Sequence, residues 1–391
     1  MNHTAVSRSY MSVPLGLLFA ILFVSILSLS ACTEALPATL PAPGESASRP
    51  TSRPYIFGSV LPLTGTNAFY GEFSKTGIEL AVQDINKAGG INERLVTIIF
   101  EDSAGDKSRA TTAAKKLVDV DGVDALFTVT TPMAGSVAPV AEEARVPLIY
   151  ASATNAFAIN KTYVFKDYPD AADGCEILYR QARRDGHASI TLFGTDAEFT
   201  HYCKKGANRV GALQTFEVYA PGETDYKTQY TKIKNAGSTA LILSQFAPDC
   251  PNSFKQLREL DLHPQLYVAF QSFACGSAEN TDKNQDLLAN AFGVDVGIDE
   301  ANPKVTAFLA LLKNQGLSTN HLIGSAILYD DVQLAAAAFK GCLDSRCVAD
   351  HIRTTQGFKG LTGTLSFNGK QTVDREIILT HQDKGAWRKA Q

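Results

Sequence analysis

From Tyr55 onward the chain alternates short apolar runs with longer amphipathic ones, and this rhythm restricts the possible folds more than any single motif does. YIFGSVLPL reads as a strand. Residues 70–88 read as a helix, with Ile78, Ala81, Ile85 and Ala88 at spacings of three and four and Gly89-Gly90 as its stop. LVTIIF, a helix over 107–119, VDALFTV, a helix over 132–144 and VPLIY continue the series. After a change of pace at 155–168 it resumes with helix 171–184, ASITLF, helix 198–211, LQTFEV, helix 226–236 and ALILSQ. Apolar strands separated by helices belong to parallel sheets covered on both faces, so the expected fold class is α/β with two such sheets in succession. Helical patterns at 302–314, 320–340 and 347–355 follow, and TGTLSF and REIILT around FNGK read as a terminal hairpin.

The N-terminus is of another kind. A single basic residue, Arg8, precedes an uncharged run from Met11 to Ala31, the pattern of an export signal. A run of this length can also span a bilayer. Small residues before Cys32, and no basic cluster after it, favour cleavage over an uncleaved anchor. Leu29-Ser30-Ala31-Cys32 resembles the lipobox of bacterial lipoproteins, which implies that 1–31 are removed and Cys32 is lipidated. Residues 32–54 carry five prolines among Ala, Ser and Thr, and read as an extended tether.

After the tether enough chain remains for two domains, and 45% hydrophobic residues suffice for two cores. With 36 basic and 40 acidic residues and no basic stripe, nucleic acid is not an expected partner. Apart from Cys32 there are six cysteines, an even number that favours disulfides in an exported chain. Cys342 and Cys347 are close enough to close a local loop. Cys175 with Cys203, and Cys250 with Cys275, are expected because each pair lies on successive strand-to-helix units. Buried free thiols are the alternative.

Catalytic templates are missing: no GxxxxGK[ST], GxSxG or HExxH, and no metal-spaced His/Cys cluster, so neither an enzyme nor a cofactor is expected. The informative stretches are two strand-to-helix junctions. In TVTTPMAGSVAPVAEEA the helix is expected near Pro132, with Thr130 or Thr131 as N-cap and Pro at N1, which offers the N–H groups of Met133 and Ala134 to an anion. In PLIYASATNAF, small and hydroxylated residues let a ligand approach the backbone at Ser152, Ala153 and Thr154. Two ordinary capped turns would look the same.

Several runs resemble one family across nearly all of the chain after the tether. PLTGTNAFYGEFSKTGIELAVQDINKAGGIN, EDSAGDKSRATTAAKKLVD, SVAPVAEEARVPLIYASATN, YVFKD, PGETDYKTQYTKIK and FKQLRELDL are similar, in order and spacing, to type I periplasmic binding proteins of the leucine/isoleucine/valine-binding family. The resemblance implies two Rossmann-like lobes joined by three crossovers, 55–167 plus 300–360 and 168–299 plus 361–391, with a ligand enclosed as a hinge closes. Its pocket falls on Tyr70 as an apolar wall and on Thr131 with Pro132 where the family has two serines. It also falls on Ser152, Ala153 and Thr154, on Phe199, and on Gln245 and Phe246. Where amino-acid binders of the family place an acid for the ligand ammonium, this chain has Gln271, Ser272 and Phe273; Asp196 or Asp249 are possible substitutes.

The expectation is therefore a monomeric, lipid-anchored solute-binding protein in the periplasm or at the cell surface, delivering a small ligand to an ABC permease. The ligand is a branched-chain or hydrophobic amino acid or a related carboxylate or amide. The missing acid favours a neutral or anionic ligand with an apolar body over a zwitterion. A signalling receptor of the same fold, and a larger apolar ligand, are the alternatives.

Overall fold

The computed structural model describes residues 53–65, 67–270, 274–298, 302–316 and 322–390. Cys32, the export signal, most of the tether and Gln271 lie outside them. The strands are β1 (Tyr55–Leu61), β2 (Val96–Asp102), β3 (Ala125–Val129), β4 (Leu148–Ala151), β5 (Val164–Lys166), β6 (Ile190–Thr195), β7 (Thr215–Tyr219), β8 (Ala240–Ser244), β9 (Gln265–Val268), β10 (Phe292–Val296), β11 (Phe358–Gly360), β12 (Gly363–Leu365), β13 (Ile377–Asp383) and β14 (Ala386–Lys389). The helices are α1 (Ala68–Lys87), α2 (Lys107–Asp119), α3 (Thr131–Ala144), α4 (Ala171–Arg184), α5 (Glu198–Asn208), α6 (Lys227–Asn235), α7 (Cys250–Glu259), α8 (Ala278–Lys283), α9 (Gln285–Leu288), α10 (Pro303–Asn314), α11 (Leu322–Lys340) and α12 (Ser345–Thr354).

The first sheet, in the order β2-β1-β3-β4-β5, is parallel throughout. The second runs β14-β13-β10-β9-β8-β6-β7, parallel from β7 to β10 and closed by the antiparallel pair β13 and β14. β3 and β8 are buried along their whole length, which is why their sequences show no polar alternation. The first core stacks Phe57, Phe127, Phe165 and Phe339, and a core of the second gathers Phe193, Tyr219, Tyr226 and Tyr230.

α11 is apolar enough to cross a membrane by length and composition, yet most of it is buried here as a core helix. It lies against α1, where Gly77 makes the approach possible: a Cβ on that residue would lie 2.0 Å from the Ser325 carbonyl oxygen. Three disulfides are present, Cys175–Cys203 between α4 and α5, Cys250–Cys275, and Cys342–Cys347 at the turn into α12.

Two expectations need correction near the C-terminal end. TGTLSF and REIILT do not pair as one hairpin: β12 pairs with β11, β13 pairs with β10 and β14, and only a Ser366–Asp374 bridge spans the FNGK turn. The return to the second lobe also comes later than residue 361. Phe367 and Val373 pack in the first core, and Lys166 of β5 bonds to Gln371 and Val373 through its backbone. The cause is Asp330 of α11, whose carboxylate accepts from the N–H groups of Leu361 (2.7 Å) and Thr362 (2.8 Å) and holds this stretch down.

Candidate functional site

In each sheet the strand order reverses beside the first strand of the unit, β1 between β2 and β3, and β6 between β7 and β8. Such reversals open a crevice at the carboxyl ends of the strands. Here the two crevices face one another. A cavity of about 620 Å³ is lined from the first lobe by Pro62, Thr130, Thr131, Ser152 and Ala153, and from the second by Thr195, Phe199, Phe246, Asp249 and Phe270. This volume suits a small organic molecule. A larger open groove of about 1020 Å³ runs beside Cys342–Cys347, lined by groups such as Arg346 and Asp350 that pair with one another; it shares no lining residue with the cavity.

Rings form much of the wall. Tyr70 of the first lobe meets Phe246 of the second edge to face at 6.1 Å; Phe199 lies 6.1 Å from Phe246 and 6.0 Å from Phe270, and Tyr168 lies 5.2 Å from Phe270. Phe69 and Phe73 flank Tyr70 on α1 and also line the cavity. Two lining residues at strand ends, Thr130 (φ +71°) and Phe270 (φ +48°), hold a left-handed backbone without being glycine. That costs on the order of 1–3 kcal/mol each and is concentrated where geometry serves a site.

The helix start at α3 differs in detail from expectation. Thr130 is the N-cap but its side chain caps nothing, Thr131 is already helical, and Pro132 follows it. The Ala134 N–H donates to the Thr130 carbonyl at 3.0 Å, so it is not offered to the cavity; the first-turn amides of Thr131 and Met133 have no intrahelical acceptor by geometry. Tyr70, Thr131, Met133, Ser152, Ala153, Phe199 and Phe246 all line the cavity. Thr154 and Gln245 are not among its lining residues. The Thr154 hydroxyl accepts from the Ala156 N–H (3.1 Å) and its carbonyl from the Tyr150 hydroxyl (3.2 Å), so it braces the loop from behind. Gln245 is buried and donates to the Tyr219 hydroxyl at 3.1 Å.

Asp249 was open only as a substitute for the missing acid, and it lines the cavity. Its Oδ2 accepts from the hydroxyls of Tyr219 (2.7 Å) and Thr195 (3.2 Å), and burial pushes its carboxyl up from the ordinary value. Asp196 and Glu198 stand exposed at the rim on the same lobe, and exposed Lys107 on the other. Among the described residues no group of three or more His, Cys, Asp or Glu is placed to hold a metal ion.

A family model described as periplasmic binding protein matches residues 54–386. The chain belongs to that family. More closely, it is a type I periplasmic binding protein of the leucine/isoleucine/valine-binding group. It is similar to Leu/Ile/Val-binding protein homolog 2 of Brucella abortus, 24% identical over 333 residues that cover 81% of this chain and 86% of that one. To homolog 3 of Brucella melitensis it is 32% identical over 211 residues, spanning 48% of this chain and about half (54%) of the relative. The fold matches the branched-chain amino acid transporter substrate binding protein LivJ from Streptococcus pneumoniae in complex with isoleucine, with TM-score 0.76, 20% identity, and 86% and 98% of the two chains covered. It also matches a solute binding protein of an ABC transporter from Rhodopseudomonas palustris in complex with 3,4-dihydroxybenzoic acid, with TM-score 0.73, 18% identity, and 86% and 95% covered.

In this binding protein the crossovers carry a buried ionic cluster. Arg375 forms a two-pronged pair with Asp167 and donates to the Thr362 carbonyl at 3.0 Å. Burial, and then the neighbouring charge of Asp167, push the carboxyl of Asp331 far up. Sequence reasoning missed Phe69, Phe73, Tyr168 and Phe270 in the wall. Phe69 and Phe73 were visible as a ring pair one helical turn apart around Tyr70, but buried core aromatics show the same spacing.

Proposed function

We propose that this protein is an extracytoplasmic solute-binding lipoprotein of an ABC importer. It captures a small ligand with a polar head and a sizeable apolar body, such as a branched-chain or hydrophobic amino acid or a related carboxylate or amide. The observation that carries the reading is the cavity between two sets of strand ends, with rings from both lobes in contact across it. Thr131, Met133 and Ser152 supply hydroxyl and amide donors for a carbonyl or carboxylate head. Tyr70, Phe199, Phe246 and Phe270 enclose the body. Closure of the hinge at the crossovers excludes water and strengthens each polar contact, and the permease then receives the closed form. The two structural relatives hold isoleucine and 3,4-dihydroxybenzoic acid, both small molecules with a polar head and an apolar body, which supports this reading.

Lipidation at Cys32 would keep the protein at its membrane through the tether; fatty-acid labelling of the wild type but not of Cys32→Ser tests it. For the function itself, small molecules released from freshly purified protein by denaturation are identified by mass spectrometry, and uptake of the same solute is measured in cells lacking the gene. Release of a defined solute with lost uptake is expected. Normal uptake of the bound solute in the deletion strain would remove the importer role.

A further inference from the structure

A half-buried carboxylate in an apolar cavity needs a reason. Asp249 has two hydroxyl donors, and among the described residues no Lys, Arg or His forms an ion pair with it. Behind it runs a buried hydrogen-bond chain with a fixed direction. The Ser253 hydroxyl donates to Gln245 Oε1 at 2.7 Å, so the proton between Tyr230 and Ser253 comes from Tyr230. Gln245 Nε2 donates at 3.1 Å to the Tyr219 hydroxyl, whose own proton then goes to Asp249 at 2.7 Å. Every donor in the chain points toward the carboxylate, the arrangement that supports its ionised form. Burial opposes that charge, and the hydroxyls offset the opposition only in part.

The rest of the cleft repeats the polarity. The second lobe adds Asp196 and Glu198 at the rim, while the first offers Lys107 and the amino end of α3. The ring of Phe246, three residues before Asp249, lies 6.1 Å from that of Phe199 and 6.1 Å from that of Tyr70 on the facing lobe, and aromatic faces attract cations.

We propose that this cleft selects its ligand by a positively charged nitrogen, held against Asp249 within the Tyr70, Phe199 and Phe246 rings, on an organic cation whose apolar body is of aromatic size. This deepens the capture reading and rests on it. A carboxylate on the ligand is accommodated at Thr131 but is not required. The charge assignment reverses what the absence of an acid at 271–273 suggested, because the counter-charge rises from a different strand end, the turn after β8.

Calorimetry at pH 7 with three probes of one ring system tests the assignment: tryptamine, tryptophan and indole-3-propionate. For the wild type, at least one of the two amines is expected to bind at least tenfold more tightly than indole-3-propionate. Asp249→Asn, checked for native circular dichroism, is expected to lose at least tenfold on that amine while indole-3-propionate is unchanged or improved. Tyr219→Phe, which removes the donor but keeps the charge, is expected to lose less. The proposal is overturned if indole-3-propionate binds the wild type as tightly as the amines, or if Asp249→Asn leaves the amine within twofold. If none of the probes binds, the charge assignment falls. The capture reading then stands if mass spectrometry finds a neutral or anionic molecule released from the protein, and falls with it if nothing is released.

Discussion

Lys166 carries its ammonium inside the protein, where Nζ donates to the Tyr168 carbonyl oxygen. Burial lowers its pKa to about 8, against the pull of Asp170 and Asp167. Between that value and the lysine value of about 10.4 the unfolded chain binds more protons than the folded one, so this residue's contribution to stability improves as pH rises across the window. Below pH 8 the full penalty stands, on the order of 3 kcal/mol from the size of the shift. Lys166→Met should therefore raise Tm relative to wild type most at pH 6–7, with the advantage shrinking toward pH 10; a difference independent of pH would show that the charge is not the cause. Thr154 illustrates a different limit. Its family motif was legible, but a motif fixes a position in the chain and not which way a hydroxyl turns, and this one turns to Ala156. Thr154→Ala should lower stability by about 1 kcal/mol, the worth of one internal hydrogen bond. Ligand affinity, measured by calorimetry, should hold within about threefold, or about 0.6 kcal/mol, and a larger loss would show that the hydroxyl meets the ligand. Asp249 was hard to find for a related reason: it sits in Ala247-Pro248-Asp249, which reads as a turn, and its role depends on Tyr219 arriving from another strand.

Elements were legible wherever burial imposed a period. β3, β8 and α2 could be read because both faces of the strands and one face of the helix are committed to a core. Alternation in TGTLSF and REIILT identified strands but not their partners, since a strand's pattern records which face is wet and not which edge is bonded. The first partner is chosen by Asp330 and the second by β10. Close helix packing was equally silent in the sequence, because one glycine in a helical pattern looks merely tolerated. Gly77→Ala would place a methyl group 2.0 Å from backbone that cannot swing aside. It should cost about 1–3 kcal/mol as α1 and α11 separate. Denaturant unfolding measures it, and an unchanged midpoint would mean that the helices slide apart freely.

At the scale of the whole molecule, the strands of the first sheet all come from residues 55–166, whereas those of the second come from two separated parts of the chain, β6 to β10 and then β13 with β14. Arg375 stands where the chain finally passes from one to the other. The last two strands supply Ile377 and Leu379 to one core of the second lobe and Trp387 to another, and they cover the edge of β10. Synthesis therefore delivers these closing strands long after β6 to β10, so the second sheet stays incomplete until residue 389 has been made. Long-range pairing of this kind is slow to nucleate. Removal of 376–391 should reproduce that unfinished state in a purified protein. Limited proteolysis is expected to cut within 171–296 while the segments of the first lobe stay protected, and a single cooperative melt like that of the full chain would mean that the closing strands are dispensable.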